Sequence, residues 1–210
     1  LYECKHLHIL PFVNELCEIP QNPKWHPENS VLIHTYQVLK RLSNSKDTGN
    51  PLIVLGCLLH DIGKLRTTVL NDVPFLLKEG KCFYSIWTIY KPTPTDKITS
   101  YSHDSVGAKM VFDFFEKINP KYEKSKVKFI SELVRYHMQI PQTHKALRKL
   151  CAKFEHITLE DLIIVQKADC GERNEELLIL EQLLKEKPVE KFVPLVTGKY
   201  LIEQGFTHSD

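Results

Sequence analysis

Several signals are absent from the chain. No apolar run approaches the roughly 20 residues that a membrane-spanning helix needs, and no basic-then-apolar signal segment stands at the start. The six cysteines include no C-x-x-C pair, which predicts free thiols and argues against a zinc ribbon. The formal net charge of +2 is too small to indicate nucleic-acid binding through the overall field. These absences favour a cytoplasmic protein without a membrane span or a disulfide framework.

The composition is that of an ordinary globular protein. The chain has 210 residues, of which 42% are hydrophobic and 26% charged, enough for one domain with its own core. We therefore expect a single domain over 1–210. The first residue is Leu1 rather than Met, which is also consistent with a piece of a longer protein.

Apolar residues recur at helical spacing along most of the chain, which predicts a mostly α fold. The run at 51–60 is apolar all round and predicts a central buried helix, with Gly63 as its stop. The other predicted helices run from Ser30 to about Ser43, from His103 onward, over 126–138, over 144–154, and from Thr158 to about Lys187.

One segment has a different character. Residues 73–91 are rich in aromatic and β-branched residues around an E-G turn, which predicts an inserted β-hairpin with strands near Phe75–Leu77 and Phe83–Tyr90. The insertion begins soon after Lys64 and ends before His103, so we expect the hairpin at the entrance of any site that these residues form.

A histidine and an aspartate stand side by side at the end of the central helix, in L-L-H-D-I-G-K. Together His60 and Asp61 offer an imidazole nitrogen and a carboxylate oxygen to one cation. Polar residues on the apolar stripes of other helices, or at a helix start, join them as candidates: His34, His103, His137 and Asp169. Singly, each has an ordinary structural explanation, such as a capping role or a buried hydrogen bond. Jointly they indicate a shared metal centre that activates water for hydrolysis.

The remaining histidines fit surface or loop positions better. His26, in W-H-P-E, is intermediate between these surface histidines and the candidates for the metal centre, because it precedes the helix of His34 and could line a pocket mouth. A turn residue beside Trp25 is its more ordinary role.

The order H…HD…H…H…D on helices resembles that of the HD-domain metal-dependent phosphohydrolases. Local strings are similar to the HD domain attached to some bacterial multifunctional tRNA CCA-adding nucleotidyltransferases. These strings are Q-N-P-K-W-H-P-E-N-S-V-L-I-H-T, L-L-H-D-I-G-K, I-T-S-Y-S-H-D-S-V-G-A-K-M, V-R-Y-H-M, K-A-D-C-G-E-R and P-L-V-T-G-K-Y-L-I. The resemblance extends from about residue 20 to 202.

The resemblance implies an all-α HD-domain helical bundle that binds one or two divalent ions, of Mn, Ni, Co, Fe, Zn or Mg. It implies a first metal site made by His34, His60, Asp61 and Asp169. In two-metal members His103 and His137 bind a second ion and Asp61 bridges. The implied substrates are nucleotide or RNA-end phosphates, of the 2′,3′-cyclic phosphate and 2′-phosphate type.

Two basic residues are candidates for the substrate phosphate. The resemblance places Lys64 in a catalytic and phosphate-binding role. Arg173 follows Asp169 by one helical turn and is a second candidate. Asp61→Asn is expected to abolish turnover, because an amide binds a divalent cation far more weakly than a carboxylate. The metal-free fold should be as stable or more stable, because a buried carboxylate without a partner is costly.

Two alternatives stay open from the sequence. One is a nucleotide or cyclic-dinucleotide phosphohydrolase with a different pocket. The other is a catalytically silent metal-binding module that binds RNA or a protein partner. No string typical of nucleotidyltransferase catalysis is present, so CCA addition by this chain is not expected, and nothing in the sequence indicates an oligomeric state.

Overall fold

The computed structural model describes residues 12, 15–28, 30–46, 49–75, 92–171, 174–186 and 204. Within these ranges the chain is mostly helical, which confirms the predicted class. The helices are α1 Val31–Ser43, α2 Pro51–Leu59, α3 Lys64–Thr67, α4 His103–Ile118, α5 Lys124–Tyr136, α6 His144–Cys151, α7 Leu159–Cys170 and α8 Glu175–Glu186, after a 3₁₀ turn at Glu15–Cys17. No helix in the described ranges is long and apolar enough to cross a membrane.

Helix α2 is the central helix, as its apolar sequence predicts. Its start is fixed by Pro51 in the first turn and by the Asn50 side chain, which accepts a hydrogen bond of 2.9 Å from the backbone N–H of Leu52. The helix packs against α1, α5 and α7. Because protein surrounds it, a helix without a polar face is stable here.

Two apolar clusters form most of the core, and α1, α2 and α5 contribute to both. The first also includes α4 residues such as Met110 and Phe114, and the second includes α7 residues such as Leu162 and Val165. Sharing three helices between two clusters fixes these helices relative to one another, and His34, His60, Asp61 and His137 lie on them or directly after them.

The predicted single helical region from Thr158 to about Lys187 is wrong, because the structure has two helices there. Helix α7 starts with a capping box between Thr158 and Asp161 and ends at Cys170, and the next residue, Gly171, has a φ of +82°. Only glycine adopts that left-handed backbone without strain, so the chain turns. The Asn174 side chain then accepts hydrogen bonds from the first N–H groups of α8.

A small antiparallel sheet stands at the base of the predicted insertion. Its strands are β1 Val69–Leu70, β2 Val73–Pro74 and β3 Ile98–Thr99, in the order β2-β1-β3. The turn between β1 and β2 uses Asn71 and Asp72, both with positive φ, as a tight hairpin requires. The hairpin strands predicted over 75–77 and 83–90 lie outside the described residues, apart from Phe75, which follows β2 and is not part of a strand in the structure.

Gly63 has a different role from the predicted helix stop. Helix α2 already ends at Leu59, and Gly63 has an ordinary φ of −65°. Its importance is the close approach of α4, because a β-carbon at Gly63 would lie 2.0 Å from the carbonyl oxygen of His103 and 2.6 Å from the backbone nitrogen of Gly107. The absence of a side chain therefore lets the first turn of α4 touch the turn after α2.

Replacing Gly63 by alanine is expected to destabilise the protein by about 3 kcal/mol, the upper end of overpacking costs, because backbone atoms must move. Gly49→Ala is the matched control, since a β-carbon there meets nothing within 4 Å. Urea unfolding of both variants measures the difference. Equal unfolding free energies for the two variants would contradict the close approach.

Candidate metal centre

All the predicted ligands face the same interior point. His34 lies inside α1, and the other five lie at or near the end of a helix. His60 and Asp61 follow the last residue of α2, and His137 follows the last residue of α5. His103 is the first residue of α4, and Asp169 is in the last turn of α7. The structure thus brings all six residues together from five helices or their ends.

Four imidazole rings form a continuous row through the site. Ring centroids are 5.4 Å apart from His34 to His60, 5.3 Å from His60 to His137, and 5.3 Å from His137 to His103. Histidines this close, in a buried place, need compensating acceptors or a cation.

Asp61 lies at the centre of the cluster, and its two oxygens face different neighbours. Oδ2 is 2.7 Å from Lys64 Nζ and 3.3 Å from His60 Nε2. Oδ1 is 3.2 Å from His103 Nε2 and 3.9 Å from His137 Nε2. The carboxylate of Asp61 therefore faces His60 with one oxygen and His103 and His137 with the other.

The second carboxylate, Asp169, faces the other end of the row. Its Oδ1 is 2.8 Å from His34 Nε2 and 3.7 Å from His60 Nε2. The guanidinium of Arg41 donates to the carbonyls of Ala168 and Asp169, the latter at 2.6 Å. These carbonyls are among the last of α7, so Arg41 satisfies a helix end and fixes the backbone that carries Asp169.

The backbone orients three of the rings in the same way. The Nδ1 atoms of His60, His103 and His137 lie 2.7, 2.8 and 2.7 Å from the carbonyl oxygen three residues earlier. A carbonyl only accepts, so each Nδ1 carries a proton, and a neutral ring then presents the Nε2 lone pair. All three Nε2 atoms are buried without a hydrogen-bond partner in the part of the chain that the structure describes.

Charges in the cluster shift the pKa values of its members strongly. Burial alone lowers the pKa of His60, but the carboxylates of Asp61 and Asp169 outweigh it and raise the pKa to about 9. Burial and the neighbouring His60 lower the pKa of His137 to about 4. Burial raises the pKa of Asp61, but Lys64 and then His60 outweigh it and hold that pKa well below its usual value. The carboxylates of Asp61 and Asp169 are therefore ionised, and the cluster favours positive charge at His60 but not at His137.

Lys64 is buried rather than exposed, with 7% of its surface accessible. Its ammonium contacts Asp61 and donates a 2.7 Å hydrogen bond to Oε1 of Gln21. Arg173, the other predicted phosphate-binding residue, lies outside the described residues.

A cavity of about 770 Å³ opens beside the cluster, and Asp61, Lys64 and Asp169 are among its lining residues. Its wall also includes Trp25 and Tyr101, whose side chains are largely exposed. A cavity of this size suits a small organic ligand with polar groups at one end.

The residues fit a divalent cation. The structure offers four imidazole nitrogens and two carboxylates, a mixed set typical of Mn, Fe, Co, Ni and Zn sites. Ligand atoms of His34, His60 and Asp61 lie within 4.8 Å of one another, as do those of Asp61, His103 and His137. The orphaned Nε2 atoms are the observation that makes a cation the natural partner, since buried imidazole nitrogens otherwise find hydrogen bonds.

Sequence reasoning missed three residues that support the site. Arg41 follows His34 by seven residues, which is two helical turns and places both residues on the same face of α1. That spacing could have indicated Arg41 as a neighbour of the site. Gln21 and Glu28 lie in the loop before α1, where periodicity gives no guidance. His26, predicted as a pocket-mouth or turn residue, does line the cavity and lies 3.0 Å from Glu28.

Three cysteines agree with the predicted free thiols. Cys57, Cys151 and Cys170 are unbridged, and burial raises the pKa of Cys57 to about 12. The thiol of Cys57 is therefore protonated and packs as a small core side chain.

Histidines and aspartates that converge on one buried point can hold the divalent cations that metal-dependent hydrolases use. The model of the HD domain family matches residues 31–185, which is most of the chain. The chain therefore belongs to the HD domain family, within a superfamily of metal-dependent phosphohydrolases. This confirms the resemblance in the sequence motifs.

Two curated proteins, both named multifunctional CCA protein, are similar to part of the chain. The protein from Shewanella frigidimarina (strain NCIMB 400) is 41% identical over 68 residues, 32% of this chain and 16% of that protein. The protein from Aromatoleum aromaticum (strain DSM 19018 / LMG 30748 / EbN1) is 42% identical over 67 residues, 31% of this chain and 16% of that protein. The match thus spans only a small part of each relative. No solved structure matches the chain.

The ion pair between Asp61 and Lys64 changes the expectation for Asp61→Asn. Removing the carboxylate leaves the buried ammonium with Gln21 as its remaining partner among the described residues, so the variant is expected to lose about 3 kcal/mol of stability rather than to be neutral. The double variant with Lys64→Met should be less destabilised than the sum of the single variants. Urea unfolding in the presence of a chelator measures the cycle. Additive losses would show that the two side chains do not interact.

Proposed function

We propose that the chain hydrolyses phosphate esters of nucleotides or RNA ends, of the 2′,3′-cyclic phosphate and 2′-phosphate type, with one or two divalent cations. The observation that carries this proposal is the double environment of Asp61. Its oxygens face His60 on one side and His103 with His137 on the other, as a bridging carboxylate between two cations must.

A first cation would be held by His34, His60, Asp61 and Asp169. The Nε2 atoms of both histidines already face Oδ1 of Asp169, at 2.8 and 3.7 Å. A cation between them would replace the proton that the raised pKa of His60 indicates.

A second cation would be held by His103 and His137 together with Oδ1 of Asp61. The lowered pKa of His137, about 4, keeps this ring neutral and ready to act as a ligand. Its Nδ1 contact with Val134 leaves Nε2 directed at Asp61, so a backbone partner does not withdraw this ring from the cluster.

The bound cations would supply Lewis acidity and lower the pKa of a water that attacks phosphorus. The ammonium of Lys64 lines the same cavity as Asp61 and would offset negative charge on the phosphoryl oxygens. Arg173 is proposed for the same role on the strength of its position after α7. Gln21 holds the ammonium of Lys64 in place through its 2.7 Å hydrogen bond.

The remaining cavity wall supports a nucleotide or an RNA end as the substrate. Trp25 is 70% exposed and Tyr101 is 81% exposed, and both line the cavity. Exposed aromatic rings beside a phosphate site give bases a surface for stacking. The similarity to proteins named multifunctional CCA protein agrees with a nucleotide or RNA substrate.

Purified protein is expected to bind Mn²⁺, Ni²⁺, Co²⁺, Fe²⁺, Zn²⁺ or Mg²⁺ and, with at least one of them, to hydrolyse bis-p-nitrophenyl phosphate and 2′,3′-cyclic AMP. His60→Ala should lose turnover by roughly 100-fold or more, because it removes a ligand from the first site. His156→Ala is the matched control, since this histidine is exposed and lies outside the cluster. Steady-state rates with each metal measure the effect.

Two results would count against the proposal. Bound metal without turnover on cyclic and linear nucleotides would favour a silent metal-binding module. Turnover that His60→Ala leaves unchanged would place the chemistry elsewhere.

A further inference from the structure

We propose that Glu28 is a positioning residue that fixes the tautomer and orientation of His34, so that the Nε2 atom of this ring is available as a metal ligand. The inference rests on the proposed function, because it assigns a role toward the first cation. Oε1 of Glu28 lies 2.8 Å from Nδ1 of His34, while Nε2 of the same ring faces Asp169.

His34 needs such a partner because of where it lies. The other three histidines stand at helix ends and place Nδ1 against a backbone carbonyl three residues earlier. His34 lies inside α1, where the carbonyl of Ser30 already accepts the backbone N–H of His34. A helix interior has no spare carbonyl in reach, so a side chain from outside the helix has to supply the acceptor.

The loop before α1 holds Glu28 in this position. An antiparallel bridge between Pro20 and Ser30 closes the loop at its base, and the N–H of Val31 bonds to the carbonyl of Ile19 at 3.2 Å. Within the loop, the N–H of His26 bonds to the carbonyl of Asn22 at 2.9 Å. The Glu28 side chain is 7% exposed, so its carboxylate has little access to solvent.

The same oxygen of Glu28 also serves a second ring. His26 Nδ1 lies 3.0 Å from Oε1, and the centroids of His26 and His34 are 4.7 Å apart. A cation among these three residues would require His34 to give both ring nitrogens to metals, which needs an imidazolate. The simpler arrangement is that the Nδ1–H groups of His26 and His34 both donate to one oxygen of Glu28. This arrangement leaves Nε2 of His34 for the first cation.

A carboxylate acceptor strengthens an imidazole as a metal ligand more than a backbone carbonyl does. Its charge strengthens the hydrogen bond from the imidazole that donates to it, and it adds a third negative group to Asp61 and Asp169 near the first cation. His34 is therefore expected to be the strongest imidazole ligand of the four, and its strength depends on a residue outside the H…HD…D pattern.

Metal affinity of Glu28 variants tests the proposal. Glu28→Leu removes the acceptor and should weaken binding of Mn²⁺ or Zn²⁺ by roughly 10- to 100-fold. Glu28→Gln keeps the shape and an acceptor oxygen without the charge, so its loss should be smaller. Glu116→Gln is the matched control, because Glu116 is exposed on α4. Equilibrium dialysis measures the affinities, and circular dichroism checks that each variant is folded.

The nitrogen-15 spectrum of the His34 ring supplies a readout that a merely structural role would not move. In metal-free wild-type protein and Glu28→Gln, Nδ1 should carry a proton toward residue 28, while Nε2 carries the proton that it donates to Asp169. In Glu28→Leu, Nδ1 should lose its proton and Nε2 should keep its own. If wild-type protein binds no metal, the proposed function fails, and this spectrum alone then decides the role of Glu28. Unchanged affinity in Glu28→Leu, or an unchanged His34 spectrum, would overturn the inference.

Discussion

The site depends on one constraint, which is that the negative charge of a buried carboxylate has to be compensated by nearby cations and hydrogen-bond donors. Asp61 is 2% exposed and follows an apolar helix that carries it into the interior. An ionised carboxylate in such a place is unfavourable unless cations and hydrogen-bond donors surround it. The structure supplies Lys64 on one oxygen and histidines on both, and this arrangement is also the one that a bridging metal ligand needs.

A second layer of contacts holds the residues around Asp61. Backbone carbonyls orient three rings, Arg41 fixes the end of α7 under Asp169, and Gln21 holds Lys64. All the proposed ligands stand on helices or directly at their ends, which keeps their relative positions within narrow limits. The close packing of Gly63 against the backbone of His103 also fixes the start of α4 relative to the turn after α2.

The sequence predicted those parts of the structure that periodicity and composition encode. Helix α1, the central α2 and the inward direction of Asp169 follow from apolar stripes and from the cost of a buried carboxylate. The break at Gly171 was missed because an isolated glycine in a helical pattern does not by itself show whether the chain turns. Glu28 and Gln21 reach the site through a loop, and loop conformation has no period to read. Gly63 was recognised as special, but for the wrong physical reason, since a close approach between helices is a tertiary contact.

The most direct test of the account is the position of the metal. Crystals grown with Mn²⁺ or Zn²⁺ and measured at the absorption edge of that metal should show an anomalous peak roughly 2.0–2.3 Å from Nε2 of His34 and His60 and from the carboxylates of Asp61 and Asp169. A peak only at surface residues, or a fully loaded protein with no peak between these side chains, would contradict it.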